Sequence, residues 1–302
     1  MQHLVSIIIP NYNHAHYLDE RIQSVLNQTY QYFEVIILDD KSTDNSREVI
    51  EKYRDHPKVS HIVFNEENSG STFKQWDKGF GLAKGDLIWI AESDDSCDSH
   101  LLEKLISKFE QDKNLVLAFC KSLMIDENGK KADYDLQQIF HEDFKYSGDV
   151  FIKKYLRNLN YIANASSALF SKSAALSVDP CYKTMRGEGD YVFWIELLET
   201  GNMAYINAPF NYFRHHSSNT TSKLVSSGLS IVENKQTFDL LVSHHYFNRR
   251  DRFKARYKKV IYFYNSTKDN KFVQKKAMKV WDRFHIYRIT FKLSSFFHHY
   301  FK

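Results

Sequence analysis

The sequence predicts an α/β protein with a mostly parallel central sheet flanked by helices, followed by a helical C-terminal region. Short β-branched runs alternate with helical apolar spacing over the first 120 residues, acidic and amide residues follow three of those runs, and the charge reverses after residue 248. The chain has 302 residues, of which 43% are hydrophobic and 26% charged. That composition is ordinary for a globular protein and excludes wholesale disorder.

Five strands are predicted in order, each from a short apolar run that fits a strand buried on both faces. They lie at residues 5–9, 33–39, 61–64, 86–91 and 115–120. The segments between them carry apolar residues at helical spacing. We predict that Asp44 caps the second helix and that Asp98 or Ser99 caps the fourth, because short polar side chains accept hydrogen bonds from the first backbone amides of a helix.

Polar and acidic residues follow three of the predicted strands. Residues 10–13 (PNYN) follow the first strand, Asp39 and Asp40 end the second, and residues 92–95 (ESDD) follow the fourth. Ligands of parallel sheets bind at this carboxyl edge. Neither a G-x-G-x-x-G nor a P-loop motif follows the first strand, and carboxylates would repel a phosphate ligand unless a divalent cation lay between them. Hard oxygen ligands suit Mg²⁺ or Mn²⁺.

Two blocks of the sequence resemble the family 2 glycosyltransferases of the GT-A fold. The first is VSIIIPNYNHAHYLDERIQSVLNQTYQYFEVIILDDKSTDNSREVI, and the second is NSGSTFKQWDKGFGLAKGDLIWIAESDD, which ends at the place of that family's D-x-D-type metal motif. The resemblance covers about residues 4–222. It implies a GT-A domain over residues 1–224, with a nucleotide-binding half to about residue 120 and an acceptor half from about residue 121, and leaves 225–302 as a helical region.

The acidic pair that ends the second strand is assigned to the nucleotide base by this resemblance. It implies that Asp40 accepts a hydrogen bond from the uracil imide N–H and that Asp39 supports the loop. Pro10, Asn11 and Tyr12 would frame the base. The alternative is that the acidic pair has only turn and helix-capping roles.

The ESDD segment takes the place of the metal motif. The resemblance implies that Glu92 and Ser93 face the ribose and pyrophosphate, that Asp94 binds the metal, and that Asp95 is a second candidate ligand. Glu92 stands where the family usually has Asp, which is a departure from the pattern. The alternative is a solvated acidic turn before the next helix.

A second departure lies in residues 75–79 (QWDKG), where many relatives carry Ala-Arg-Asn-x-Gly. Trp76 and Asp77 therefore replace an Arg-Asn pair that often lies near the nucleotide. We predict that Trp76 is a core residue.

The segment FNYFRHHSSNTTS from residue 210 resembles the closing R-x-H element of the family. It implies that Arg214 and His216 approach the pyrophosphate or the metal, since Arg clamps phosphate well and His is a fair metal ligand. Solvated loop residues are the alternative. His14 and His16 have no ligand partners at a useful spacing, and we predict that both are exposed loop histidines.

The catalytic base is predicted within MRGEGDYVFWIELLETG, residues 185–201. This segment resembles the acidic motif that precedes a helix in the family, and it makes Asp190 the candidate general base, with Glu188 as the alternative. Inverting transfer needs one carboxylate to take the acceptor proton as the hydroxyl oxygen attacks the anomeric carbon. A plain helix-capping role is the other interpretation.

The C-terminal segment is strongly basic. Residues 249–302 contain 16 Lys and Arg against three Asp, a net charge of +13, whereas residues 1–248 carry a net charge of −9. Basic and aromatic residues at helical spacing suit an anionic membrane surface, so we predict a peripheral membrane contact through 249–302. Packing of its aromatic residues on the body or on a second subunit is the alternative. The acidic body would oppose nucleic acid, and we expect no such partner.

We expect a cytoplasmic protein, held at the inner face of the membrane if the basic segment binds it. Three cysteines without a C-x-x-C pair fit a reducing compartment. The apolar run at the start is too short for a signal peptide, and no stretch approaches the length of a membrane span.

The predicted activity is that of a metal-dependent, inverting glycosyltransferase of the hexosyl or hexosaminyl type. The donor would be a nucleotide-sugar, a UDP-sugar first, and the acceptor a saccharide or lipid-linked saccharide in polysaccharide synthesis. One alternative is a sugar-phosphate nucleotidyltransferase, but the glycine-rich basic loop usual in that class is absent from residues 10–13. The other is a catalytically silent binding protein, against which the joint presence of Asp40, Asp94 and Asp190 counts.

Overall fold

Two compact units, Met1–His216 and Ser217–Lys302, make up the chain. The structure is a computed structural model that describes residues 2–132, 137–162, 164–216, 227–267 and 270–282. The first unit contains the sheet, and the second contains only helices among its described residues.

All five predicted strands are present in the first unit. The strands are β1 (Val5–Asn11), β2 (Phe33–Asp39), β3 (Val59–Phe64), β4 (Leu87–Ile90), β5 (Ser96–Cys97), β6 (Leu115–Ile125), β7 (Phe144–Ser147), β8 (Ala168–Ser171) and β9 (Asn202–Arg214). They form one sheet in the order β3-β2-β1-β4-β8-β6-β9-β5, with β7 paired to β9. The predicted fold class, a mostly parallel sheet flanked by helices, is confirmed.

Helices cover both faces of this sheet. They are α1 (Ala15–Leu26), α2 (Ser46–Glu51), α3 (Thr72–Leu82), α4 (Leu101–Gln111), α5 (Gly148–Phe151), α6 (Lys172–Ser177) and α7 (Gly189–Leu198). Strand residues alternate between faces. Ile7 and Ile9 pack in one core with α1, α2 and α4, whereas Ile8 packs so closely against Gly79 of α3 that a Cβ there would lie 2.7 Å from it.

The predicted helix caps are displaced by one or two residues. Asn45 is the residue before α2, and His100 is the residue before α4. Asp44 instead accepts from the backbone N of Ser46 at 3.0 Å, and Asp98 accepts from that of His100 at 2.8 Å. Both carboxylates accept from the amide two residues on, which forms an Asx turn immediately before the helix.

Three helices form the described part of the second unit: α8 (Leu229–Ser243), α9 (Arg249–Ser266) and α10 (Lys271–Trp281). They enclose their own small apolar core, built from Ile231, Phe238, Val260, Phe263, Val273, Ala277, Met278 and Trp281. Of the predicted membrane-binding segment, residues 283–302 lie outside the described residues. No helix in the described part of the chain is long and apolar enough to span a bilayer.

Candidate active site

Four strands deliver their carboxyl ends to one edge of the sheet. β1 pairs in parallel with β2 and β4. β8 is antiparallel to both β4 and β6, and β9 is parallel to β6, so β9 points the same way as β1. The loops after β1, β2, β4 and β9 therefore meet where ligands of open α/β sheets bind.

Asp39 fixes the turn that follows β2. Its carboxylate accepts from Asn11 Nδ2 at 2.8 Å and from the Ser42 hydroxyl at 2.6 Å, and it also accepts from the Ser42 backbone N at 3.0 Å. Pro10 is buried within β1, and Tyr12 is 47% exposed just beyond it. Lys41 in this turn has a positive φ of 62°. The turn therefore ties the ends of β1 and β2 together and leaves the Tyr12 side chain at the surface.

The Asp40 carboxylate, which is buried, holds the segment that leads into α3. It accepts from Asn65 Nδ2 at 2.7 Å, Gln75 Nε2 at 3.0 Å, and both the backbone N and the hydroxyl of Ser69, at 2.9 and 2.8 Å. Ser71, two residues further on, donates its hydroxyl to the Met185 carbonyl at 2.9 Å. A short chain of polar contacts thus runs from the end of β2 towards the segment that precedes α7.

Asp94 and His216 are brought together from the ends of β4 and β9. His216 Nε2 lies 3.0 Å from Asp94 Oδ2, and His216 is buried. Although burial raises the pKa of Asp94, the His216 hydrogen bond and the charges of His14 and His216 outweigh it and lower the pKa below its ordinary value. The site therefore favours the ionised carboxylate.

His14 belongs to this site, and the prediction that it is an exposed loop histidine is wrong. Its Nδ1 lies 2.8 Å from the Ser93 hydroxyl. The site brings together three ligand atoms, all within 4.8 Å of one another, with one atom each from His14, Asp94 and His216. The sequence gives little signal of this, because 79 and 202 residues separate His14 from Ser93 and His216. Only its position just after the first strand, at the ligand-binding edge, could have pointed to it.

Asp95 faces away from that cluster into a buried polar network. Its carboxylate accepts from Asn164 Nδ2 at 2.8 Å, the Ser166 hydroxyl at 2.7 Å and the Arg214 backbone N at 2.9 Å. The buried Arg21 guanidinium is 3.8 Å away. Burial, with the nearby charge of Asp94, raises the pKa of Asp95 to about 6. Its contacts fit a support for the loop.

Glu92 is anchored by Trp76 of α3. Trp76 Nε1 donates to Glu92 Oε1 at 3.0 Å, and the Glu92 backbone N donates to the Ser166 hydroxyl at 3.0 Å. Burial first, and then the charges of Asp94 and Asp95, raise the pKa of Glu92 to about 8. Trp76 is 1% exposed, so the core role predicted for it is confirmed, and the hydrogen bond is a further role that the sequence did not reveal.

Arg214 holds the loop of residues 92–95 in place. Its Nε donates to the Asp94 carbonyl at 2.8 Å, and its Nη2 donates to Glu20 at 2.7 Å. The guanidinium stacks over the Tyr17 ring, 4.8 Å from its centre, and Tyr17 in turn contacts the His216 ring at 5.3 Å between centroids. Arg214 thus fixes the backbone of Asp94 and, with it, the position of the Asp94 side chain.

Asp190 lies in the first turn of α7 with a pKa near neutrality. It accepts from Asn160 Nδ2 at 3.1 Å and from the Tyr191 backbone N at 2.7 Å. Burial, with the charge of Glu188 adding to it, outweighs these hydrogen bonds and raises its pKa to about 7. Glu188 is half-buried immediately before the helix. A Cβ on Gly189 would lie 2.6 Å from Phe73, so glycine lets α7 begin against α3.

The fold and the site define the GT-A class of glycosyltransferases: a mostly parallel sheet whose ligand edge carries carboxylates and imidazoles in place of a glycine-rich phosphate loop. The model of the family named Glycosyl transferase family 2 matches residues 6–175. This is more than half of the chain, and the chain belongs to that family. It is therefore a glycosyltransferase, and not the sugar-phosphate nucleotidyltransferase that was the alternative.

Individual proteins agree with this assignment. TuaG of Bacillus subtilis, named as a teichuronic acid biosynthesis glycosyltransferase, is 27% identical over 202 residues, which cover 67% of this chain and 75% of TuaG. Among solved structures, S. aureus TarS 1-349 in complex with UDP has a TM-score of 0.57 at 18% identity, covering 82% of this chain and 74% of that one. The mannosyltransferase PcManGT from Pyrobaculum calidifontis, in complex with GDP-Man and Mn²⁺, also has a TM-score of 0.57, at 14% identity over 78% of this chain and 64% of that one. At these identities the two structures show a shared fold alone.

Proposed function

We propose that this protein transfers a hexosyl or hexosaminyl group, with inversion, from a UDP-sugar to a saccharide or lipid-linked saccharide in polysaccharide synthesis, and that a divalent cation assists the reaction. The observation that carries this proposal is the contact of Asp94 with His216, which joins the ends of β4 and β9 at the ligand edge of the sheet. The names of the similar proteins support it, since TuaG is named for teichuronic acid biosynthesis and TarS was solved with UDP.

The nucleotide would bind between the loops after β1 and β2 and the segment before α3. We assign Pro10, Asn11 and Tyr12 to the base, with Asp39 as the support of the turn and Asp40 as the acceptor for the uracil imide. Asp40 is already engaged by Asn65, Ser69 and Gln75. Base binding would therefore exchange one of these donors for the uracil N–H.

The donor set at Asp94 and His216 fits a divalent cation, because a carboxylate oxygen suits Mg²⁺ or Mn²⁺ and a histidine nitrogen is the commonest metal ligand in proteins. Such a cation would neutralise the charge that develops on the departing nucleoside diphosphate. In this proposal Asp94 and His216 hold it, with Asp95 acting from the buried network behind them. Glu92 and Ser93 would face the ribose and the pyrophosphate, and Arg214 would stabilise the loop and add positive charge on the pyrophosphate side.

Asp190 is the proposed general base, with Glu188 as the alternative. Asp190 would accept the proton of the acceptor hydroxyl as that oxygen forms its bond to the anomeric carbon. The bond from the anomeric carbon to the phosphate oxygen breaks in the same displacement, and the nucleoside diphosphate leaves. A carboxylate with a pKa of about 7 is a stronger base than an ordinary Asp, and about half of it is ionised near pH 7. We assign the transferase domain to residues 1–224, with the nucleotide-binding half to about residue 120 and the acceptor half beyond it.

Thermal unfolding with UDP, GDP, dTDP and CMP, each with and without Mn²⁺, tests the donor site. A ligand that binds only the folded state stabilises it by about 2.7 kcal/mol at a hundredfold excess over its Kd. We expect a UDP shift that needs Mn²⁺ and is lost in Asp94→Ala, while Asp98→Ala, a change of the same kind in a nearby turn, keeps it. A shift with GDP or dTDP alone would replace the proposed donor, and no shift with any nucleotide would contradict the proposed function.

The second unit supports a peripheral contact with an anionic membrane surface. On α9, the exposed residues Lys254, Lys258 and Tyr262 follow one another at intervals of four, which places them on one helix face. On α10, Phe272 is 74% exposed and Lys275, three residues later, is exposed too. Lysines that flank exposed aromatic rings bind anionic headgroups, with about 1 kcal/mol per Lys near the surface.

Sedimentation with vesicles checks this contact. We expect the protein to bind phosphatidylglycerol-containing vesicles and not pure phosphatidylcholine vesicles, and to bind less as salt is raised. Lys254→Glu with Lys258→Glu should weaken binding about tenfold or more. The matched control, Lys52→Glu with Lys113→Glu, makes the same charge change at exposed sites of the first unit and should leave binding unchanged. Equal loss in both double variants would refute a contact specific to the second unit.

A further inference from the structure

We propose that His14 is a third protein ligand of the cation, so that the site consists of two imidazoles and one carboxylate and selects Mn²⁺ over Mg²⁺. This inference rests on the proposed function, in which Asp94 and His216 hold a divalent cation. Its basis is that single ligand atoms of His14, Asp94 and His216 all lie within 4.8 Å of one another. The three residues come from the start of α1, the end of β4 and the end of β9.

The His14 ring is held in position for this role. The Ser93 hydroxyl bonds His14 Nδ1 at 2.8 Å. In metal sites, a bond of this kind to one ring nitrogen fixes the tautomer and the orientation of the imidazole, while the other nitrogen binds the ion. Ser93 precedes Asp94 in the same loop, so one short segment supplies both a carboxylate ligand and the support of an imidazole.

The two imidazoles approach the same point from different directions. The ring centroids of His14 and His216 are 5.6 Å apart and the ring planes are almost perpendicular, at 87°. His216 Nε2 lies 3.0 Å from Asp94 Oδ2. Tyr17 packs against both rings, at 6.4 Å from His14 and 5.3 Å from His216. The Tyr17 ring therefore restricts the motion of both imidazoles before any ion binds. Ligands that are already in position bind metals more tightly.

The donor atoms of this site favour one of the two expected cations, Mg²⁺ and Mn²⁺, over the other. Mg²⁺ prefers oxygen ligands in a strict octahedron and gives up its waters reluctantly. Imidazole nitrogen suits first-row transition metals, and a site of two histidines and one carboxylate with open positions is a known transition-metal arrangement. The other two carboxylates of residues 92–95 have partners elsewhere. Asp95 accepts from Asn164 and Ser166, and Glu92 accepts from Trp76. A site with two nitrogen donors and one carboxylate should therefore bind Mn²⁺ more tightly than Mg²⁺.

The test measures metal binding directly on the full chain. Free Mn²⁺ is followed by electron paramagnetic resonance during titration, with Mg²⁺ as competitor, for the wild type and for His14→Ala, His14→Asn and His16→Ala. His16 is the matched control, since it is an exposed histidine two residues away. We expect Mn²⁺ to bind the wild type at least about tenfold more tightly than Mg²⁺ and both His14 variants to lose about tenfold or more of Mn²⁺ affinity. The Mg²⁺ affinity of the two His14 variants should differ from that of the wild type by less than about twofold. The Mn²⁺ affinity of His16→Ala should also stay within about twofold of the wild type.

Pulsed paramagnetic resonance of the Mn²⁺–UDP complex counts the nitrogen ligands. Two imidazole couplings are expected in the wild type, one in His14→Ala and one in His216→Ala. The His14→Asn variant keeps a polar partner for Ser93, so its melting temperature shows whether a loss reflects the ligand or the fold.

Four outcomes would overturn the proposal. A single imidazole coupling in the wild type, or Mn²⁺ affinity unchanged in His14→Ala, would refute the third ligand, and Mn²⁺ loss in Asp94→Asn would show that the metal-dependent transferase still stands. No imidazole coupling, with UDP binding that needs no metal, would remove the third ligand together with metal dependence. A protein that binds no nucleotide at all would overturn the proposed function as well.

Discussion

The indole N–H of Trp76 donates a hydrogen bond to the carboxylate of Glu92 across 3.0 Å. Both residues are departures from the pattern that the resemblance to the family implies: Trp76 stands at the place of an Arg, and Glu92 at the place of the first Asp of the D-x-D-type motif. The longer Glu side chain reaches the indole from the loop after β4. The two departures therefore form one contact, and Trp76 also packs on Phe193 and Trp194 of the helix that carries Asp190.

Replacing Trp76 by Phe tests whether this contact positions Glu92 for the donor. The variant keeps an aromatic ring in the core but leaves the half-buried Glu92 carboxyl without its donor, which should cost about 1–3 kcal/mol of unfolding free energy. We expect Mn²⁺-dependent UDP affinity to fall about tenfold, measured by titration calorimetry. Phe73→Leu is the control, because Phe73 is buried beside Trp76 and has no bond to Glu92. If UDP binds the Trp76 and Phe73 variants equally well, Glu92 does not act on the donor through Trp76.

The activity should rise with pH through about 7. Asp190 must be ionised to accept a proton, and burial raises its pKa to about 7, so the acid limb of the pH–rate profile reports its deprotonation. Asp190→Asn should lower kcat by about 10²–10⁴ and leave Mn²⁺-dependent UDP binding intact. The profile is measured with the UDP-sugar that the nucleotide screen selects. An unchanged acid limb in Asp190→Asn, together with a large loss in Glu188→Gln, would make Glu188 the base.

The same carboxyl should reduce the stability of the fold at high pH. The pKa of Asp190 is about 7 in the folded protein, against an ordinary value of 3.8, so between these values the folded state binds more protons than the unfolded state. Unfolding free energy must therefore fall as pH rises across that window. Asp190→Asn removes this effect, and we expect the variant to gain stability over the wild type between pH 5 and pH 8. Urea denaturation at both values measures it; an advantage that stays constant with pH would contradict the raised pKa.

Strands and their order along the chain could be predicted because their signals are local. The run at β2 has the predicted bounds, 33–39, since its residues are all buried and almost all apolar. The starts of α2 and α4 were predicted one or two residues too early. Asp44 and Asp98 each bond the amide two residues on, and an Asp makes this bond either as an N-cap or in an Asx turn before the helix. Local sequence does not distinguish these two geometries.

The partners within the site could not be predicted, because they depend on long-range packing. Asp94 and Asp95 are adjacent, yet one contacts His216 and the other points into the network of Asn164 and Ser166. The direction of each side chain follows from the path of the loop after β4, which a single sequence does not specify. His14 was missed for the same reason, since its neighbours come from other strands.

Arg21 provides a final test, because it is a buried cation that supports the loop of residues 92–95 from within α1. It is fully buried, its Nε donates to the Glu92 carbonyl at 2.8 Å, and its guanidinium lies 3.8 Å from the Asp95 carboxylate and 5.7 Å from the centre of the Trp89 ring. Removing one partner of a buried ion pair costs about 3–5 kcal/mol, since the other charge stays buried and uncompensated.

We expect Arg21→Leu to lose about 3–5 kcal/mol of unfolding free energy. The loss should be larger at pH 8 than at pH 5. The pKa of Asp95 is already raised to about 6, and without Arg21 it rises further, so acid neutralises Asp95 and relieves the cost. Chemical denaturation at the two pH values measures both quantities. Arg47→Leu removes an exposed guanidinium that stacks on Phe64 and should cost less than about 1 kcal/mol at either pH. Arg21→Leu could instead lose as little unfolding free energy as Arg47→Leu, or lose the same amount at both pH values. Either result would show that Asp95 does not depend on Arg21. The hydrogen bonds from Asn164, Ser166 and the Arg214 backbone would then suffice to hold it.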